Sequence, residues 1–104
     1  MPDRGPPERT RTVREALREE LLRGAATARD LSERVGVREK DVPGHLEHLA
    51  RSLEARGETL VILPANCIAC GYSFARRGRF SRPGRCPECG STRIDPPQLS
   101  AHVR

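Results

Sequence analysis

The apolar positions keep a helical rhythm three times along the chain and then change period. In "TVREALREELLRG", Val13, Ala16, Leu17 and Leu21 recur at three- and four-residue steps with Leu22 on the flank, the spacing of one helix face. Thr12 followed by Glu15 reads as a capping box and Gly24 as a stop, so a first helix is expected from Thr12 onward. "TARDLSERVG" repeats the pattern in short form. Thr27 caps it, Asp30 sits near the positive end of the helix dipole, and Ala28, Leu31 and Val35 share a face. Gly36 supplies the left-handed residue that ends it. In "VREKDVPGHLEHLARSLEARG" the apolar side is Val42, Leu46, Leu49, Ala50 and Leu53. Pro43 has no N–H and belongs in a first turn, which places the start of this third helix near Lys40 or Asp41 and its end at Gly57. "ETLVILPA" is a β-branched run closed by Pro64, a strand. After the cysteines come a short strand around Arg93–Ile94, a Pro-Pro break and a last strand near Leu99–Val103. Residues 1–11 are Pro-, Gly- and charge-rich without an apolar anchor and read as a disordered tail. Residues 12–63 then form a helical domain, and residues 64–104 a cysteine segment with C-terminal strands.

The join between the second and third helices is short and contains Gly36, the arrangement of a helix-turn-helix. Leu31, Ser32, Val35, Gly36, Val37 and Val42 supply the apolar, small, apolar, turn, apolar and apolar positions that this motif needs. The stretch from Val42 to Leu49 resembles the V-x-x-H-L-x-x-L of the recognition helix in ArsR-type winged-helix repressors, and His45 falls on its packing edge. Lys40, Gly44, Glu47, His48 and Arg51 lie opposite the apolar face, with Asp41 beside them. Lys40 and Arg51, with Arg38 at the turn, are the cations that could meet phosphates or guanine edges, and Gly44 and His48 complete the outward row. Glu47 and Asp41 oppose phosphate contact, and a bundle used only for protein contacts would show the same helices.

The four cysteines stand as Cys67-x-x-Cys70 and Cys86-x-x-Cys89 with fifteen residues between the pairs. This is the spacing of a four-thiolate zinc site. Each pair is followed by glycine, "CIACG" and "CPECG", which permits the tight turn that brings two sulfurs to one side. Two such knuckles supply four sulfurs in a tetrahedron. With every ligand position taken by protein sulfur, no place is left for water or substrate, so one structural Zn2+ is expected. Four thiolates also suit iron, as in rubredoxin-type electron transfer. Only Tyr72, Phe74 and Phe80 supply aromatic cover, and the loop between the knuckles is rich in arginine, which favours zinc.

Charge sharpens this picture. The formal net charge is +5, yet residues 12–57 carry nine basic and nine acidic groups, while residues 58–104 carry seven Arg against three acids. Arg76, Arg77, Arg79, Arg82 and Arg85 form a dense basic loop between the knuckles. It reads either as phosphate-contacting surface or as counter-ions to a thiolate site of local charge about −2. The general preference for Arg over Lys, eighteen to one, weakens the weight of any single arginine. The chain has 36% apolar and 3% aromatic residues and no Trp, so its core is small and aliphatic. There is no apolar run of about twenty residues to cross a membrane, no secretory core near the N-terminus, and the paired cysteines fit a reducing cytoplasm. No Ser-His-Asp set, phosphate loop or further cysteine suggests an enzyme.

Taken in order, "DLSERVGVREKDVPGHLEHLARSL", "PANCIACGYSF" and "RPGRCPECGSTRI" with a trailing proline resemble a small family of predicted transcriptional regulators. Those proteins fuse a winged helix-turn-helix to a rubredoxin-like zinc ribbon, and the resemblance runs over about residues 12–97. It implies an α+β fold, a three-helix winged helix-turn-helix followed by, or carrying in its wing, a four-cysteine zinc ribbon. It carries the zinc ligands to Cys67, Cys70, Cys86 and Cys89 and implies a role on double-stranded DNA. The alternative is an adaptor that docks on a protein of the transcription machinery or another nucleic-acid machine without reading DNA itself. Winged-helix repressors often form dimers. Leu21-Leu22 and "LSAHV" are the candidate contacts for a homodimer.

Overall fold

The computed structural model describes residues 7–75 and 80–103, with side chains from residue 12 on. Among the described residues three helices come first: α1 (Pro7–Arg23), α2 (Ala28–Val35) and α3 (Val42–Ala55), the last preceded by a 3-10 turn at Glu39–Asp41. Four strands follow, β1 (Glu58–Leu63), β2 (Asn66–Cys67), β3 (Ile94–Asp95) and β4 (Gln98–Val103).

The helix signals hold at α2 and α3. The Thr27 hydroxyl accepts the Asp30 N–H at 3.1 Å, and the Asp30 carboxylate accepts the Thr27 N–H at 3.1 Å, a closed capping box. That bond to the Thr27 backbone, before all else, holds the Asp30 carboxyl below its ordinary range. Gly36 ends α2 at φ 83°, a left-handed value that a Cβ makes costly. Its N–H and that of Val37 both donate to the Ser32 carbonyl, at 2.9 and 3.2 Å, and the Ser32 hydroxyl donates to the Val37 carbonyl. The small residue expected before the turn therefore ties it shut. At α1 the expected boundary is corrected. The helix starts at Pro7, so Thr12 is inside it and residues 7–11 of the expected tail are helical. Pro7 suits a first turn because its missing N–H would be unpaired there anyway. Glu15 does not close a capping box but accepts from Arg56 at 3.0 Å, joining α1 to the end of α3.

One core joins the helices to the last strand. Leu17 and Leu21 of α1, Leu31 of α2, and Val42, Leu46, Leu49 and Leu53 of α3 are buried together with Leu99 and Ala101 of β4. Strands β1 and β4 pair antiparallel from Glu58↔Val103 to Leu63↔Gln98. On the other side of β4, Ala26 and Leu99 exchange backbone hydrogen bonds at 2.9 and 2.8 Å. The order across the sheet is thus the α1–α2 link, β4, β1. The Pro-Pro break does not divide β4 from the helices, as a boundary at residue 64 would have it. Leu99 and Ala101 alternate onto the helical core, and their burial ties the end of the chain to its first half.

Residues 64–97 therefore form an insertion at one end of the β1–β4 pair, between Leu63 and Gln98. A second, smaller core lies there, made of Ala65, Cys67, Cys86 and Ile94 with Tyr72 and Phe74 against it. Tyr72 and Phe74 meet edge to face, with ring centres 5.0 Å apart. Strands β2 and β3 pair through Asn66↔Asp95 and Cys67↔Ile94.

Candidate metal centre

The two knuckles fold alike because their sequences repeat. Cys67 donates its N–H to the Tyr72 carbonyl at 2.8 Å and accepts from Gly71 at 2.8 Å. Cys86 donates to the Ser91 carbonyl at 2.9 Å and accepts from Gly90 at 2.9 Å. Gly71 and Gly90 sit at φ 82° and 76°, so the glycine after each C-x-x-C is required by backbone conformation. Each turn points two sulfurs inward. Cys67 and Cys86 are buried, and Cys70 and Cys89 are exposed.

All four Sγ atoms lie within 4.8 Å of one another. Cys67 and Cys89 are 3.6 Å apart at sulfur, and Cys70 and Cys86 3.7 Å. Four sulfurs at about 2.3 Å from a common centre stand about 3.8 Å apart in a tetrahedron. A disulfide would need about 2.05 Å. The donor set and its spacing fit a tetrahedral metal ion held by Cys67, Cys70, Cys86 and Cys89.

The thiols themselves ask for a cation. Burial raises Cys67, but the N–H groups of Cys70 and Ala69 with the Cys89 thiol outweigh it and bring it down to about 7. The Tyr72 N–H draws Cys70 down, yet burial and the sulfurs of Cys86, Cys89 and Cys67 win, and it is pushed up to about 12. Cys89 is also raised: the Ser91 N–H lowers it, but the Cys67 sulfur and burial outweigh that donor. Crowded together, the sulfurs resist giving up all their protons, and a bound cation removes that penalty. The Glu88 N–H, 3.4 Å from the Cys86 sulfur, adds a donor to the thiolate shell.

The basic residues expected at a nucleic-acid surface are less uniform. Lys40 lies exposed on the 3-10 turn, and Gly44, His48 and Arg51 are exposed on one side of α3, opposite the buried Val42, Leu46, Leu49 and Leu53. Arg38 is exposed and donates to Asp41 at 3.0 Å. His45 is half-buried, and burial, then Arg14, lowers its pKa, against Asp41. Arg76, Arg77 and Arg79 lie outside the described residues. Arg82 donates from Nε to the Ile94 carbonyl and from Nη2 to the Thr92 carbonyl, both at 2.8 Å. Arg85 donates to the Gly90 carbonyl at 3.1 Å. These two arginines brace the ribbon's own backbone. Of the candidate dimer contacts, Leu21, Leu99, Ser100 and Ala101 are buried in the chain's own fold, while Leu22 and Val103 are exposed.

Two features carried no readable signal. Phe80, in the loop between the knuckles, packs against the helical core and not the ribbon core. A cavity of about 300 Å³ lies beside it, lined by Thr27, Ala28 and Arg29 at the head of α2 and by Arg82 and Pro96 of the ribbon. Arg18 of α1 holds Glu58 at the start of β1 with both carboxylate oxygens engaged, at 2.8 and 2.6 Å. Single charged residues among many offer no pattern by which to find such a pair.

The PF0610-like, N-terminal family model matches residues 12–61, the span from α1 into β1 that stops before the first cysteine. Over its whole length the chain is similar to a solved structure, the solution NMR structure of protein PF0610 from Pyrococcus furiosus. That likeness has a TM-score of 0.78 and 26% sequence identity, and it covers 100% of this chain and 98% of that one. No curated protein matches the chain. Among the described residues, no helix is long and apolar enough to cross a membrane.

Proposed function

We propose that this protein is a DNA-binding transcriptional regulator, a winged helix-turn-helix whose wing is replaced by a zinc ribbon. The observation that carries the reading is the outer row Gly44, His48 and Arg51 on α3, a helix whose opposite side is locked into the core, with exposed Lys40 on the turn just before it. α2, the Gly36 turn and α3 supply the two helices and tight turn of that motif. The order of Ala26, β4 and β1 supports a winged arrangement, with the ribbon lying where a wing hairpin would turn. In this reading α3 enters the major groove, Arg51 and Lys40 meet base edges or phosphates, and the ribbon lies toward the adjacent backbone. The metal is one Zn2+, structural, because four protein sulfurs complete its coordination. Iron is the other ion the ligands allow. A four-thiolate metal site fits a reducing compartment, and the cytoplasm is the location this reading expects. Changing Lys40 and Arg51 together to alanine tests the role of α3. Duplex affinity should fall at least tenfold while the thermal transition stays in place, and unchanged affinity would remove α3 from the interface.

A second reading is an adaptor that docks on a protein of a nucleic-acid machine. The acids Glu39, Asp41 and Glu47 beside the same row favour it, as do the bonds that hold Arg82 and Arg85 on the ribbon's own carbonyls. An adaptor would show no duplex binding even at low salt.

A further inference from the structure

We propose that Cys70 and Cys89 are an oxidation site, the pair through which a peroxide opens the metal centre. The inference rests on the reading of the four cysteines as metal ligands. The four sulfurs are unequal in access: Cys67 and Cys86 are 2% and 1% exposed, whereas Cys70 and Cys89 are exposed. An open depression of about 400 Å³ lies on that side, lined by Cys70, Gly71, Tyr72, Glu88 and Cys89. It admits a small neutral oxidant directly to two sulfurs, and the Glu88 carboxylate on its rim disfavours anionic reagents. Oxidation of cysteine follows thiolate character and exposure. Metal ligation supplies the first to all four residues, and only Cys70 and Cys89 have the second. Their sulfurs are within 4.8 Å of each other, so the second thiolate is in place once the first has reacted.

The chemistry balances with hydrogen peroxide as the only added reagent. The sulfur of one exposed thiolate attacks a peroxide oxygen and the O–O bond breaks. This gives a sulfenic acid and hydroxide, which takes a proton to become water. The other exposed thiolate attacks the sulfenic sulfur, the S–S bond forms, and a second hydroxide leaves and is protonated. Two thiolates are oxidised by two electrons, and one peroxide is reduced to two waters. With two of the four ligands gone, Cys67 and Cys86 alone hold the ion poorly, and it is released without a change in its own oxidation state. A reductant that restores both thiols restores the site.

The test uses the full chain reduced and loaded with zinc. Hydrogen peroxide is added in steps, released zinc is followed with a chromogenic chelator, and samples are blocked with an alkylating agent and digested without reduction. The expected result is one zinc released per disulfide formed, a first disulfide that links Cys70 to Cys89, and recovery of bound zinc after reduction. A first bond between any other two cysteines, such as Cys67 with Cys89 or Cys70 with Cys86, whose sulfurs are 3.6 and 3.7 Å apart, would overturn the proposal. So would a bond between two chains, or retention of zinc as peroxide is consumed. If the reduced chain takes up no metal before peroxide is added, the metal reading itself has failed, and the two failures are told apart at the first step.

Discussion

Arg18 and Glu58 form a two-point ion pair between the middle of α1 and the first residue of β1, at 2.8 and 2.6 Å, with the Glu58 side chain buried. The two residues are forty positions apart in the chain. Their pairing joins the first helix to the strand from which the ribbon departs. Each partner removed alone leaves a charged group without its match, which is the costly way to break such a pair.

The Arg18 bond is the main reason the Glu58 carboxyl is held below its ordinary range. A carboxyl lowered on folding contributes stability above its unfolded pKa and loses it as the pH falls through the lower folded value. The variant Glu58→Gln should therefore melt at a lower temperature than the parent at pH 7. That gap should close in acid, below the ordinary carboxylate value of 4.5. Thermal scans of both proteins across pH check this, and a gap that stays constant into acid would show that the charge is not the source.

The metal centre should respond to protons in the same direction. Binding needs four thiolates, and without a cation burial, with the neighbouring sulfurs, pushes Cys70 up to about 12. Uptake of zinc should then release protons, and affinity should fall steeply as the pH is lowered. Metal analysis should find about one ion per chain. Removal by a chelator should abolish the order of the small core around Cys67, Cys86 and Ile94. Proton release measured by calorimetry in buffers of different ionisation enthalpy checks the first point. The loss of Ile94 methyl dispersion in NMR spectra checks the second.

Phe80 links that ribbon to the helices, because its ring packs on the helical core while Arg82, two residues on, is fixed to the ribbon at Ile94 and Thr92. Phe80→Ala should cost about 1–2 kcal/mol, less than the ~3–5 kcal/mol of a fully buried phenylalanine. The more specific outcome is a reduced effect of zinc on the melting of the helices. Melting followed at 222 nm with and without metal reads this directly, and an undiminished zinc effect would show that β1 and β4 carry the link alone.

Much of this architecture is legible in the sequence, for reasons that differ between elements. α2 and α3 announce themselves because Thr27, Gly36 and Pro43 add local chemistry to a clear apolar period. The cysteines announce their site because ligand spacing and the following glycines are local requirements of the knuckle. The start of α1 is hidden because residues 7–11 have no apolar member and helix formation there borrows its nucleus from the packed turns beyond. The pairing of β1 with β4 spans thirty-four intervening residues, and the contact of Ala26 with Leu99 spans more. Neither leaves a local trace. The same holds for the arginines: the loop reads as a basic patch, but whether Arg82 faces a phosphate or a backbone carbonyl depends on where Ile94 returns.

α3 and the ribbon are proposed to form one surface for duplex DNA. Fluorescence anisotropy of the zinc-loaded protein on labelled genomic duplexes, repeated from 50 to 200 mM salt (roughly the range over which phosphate contacts reveal themselves), tests it most directly. The account predicts binding at low salt, with log affinity falling linearly against log salt by a slope of about −0.9 for each phosphate neutralised. No binding at the lowest salt, with zinc bound and the helices folded, would contradict it.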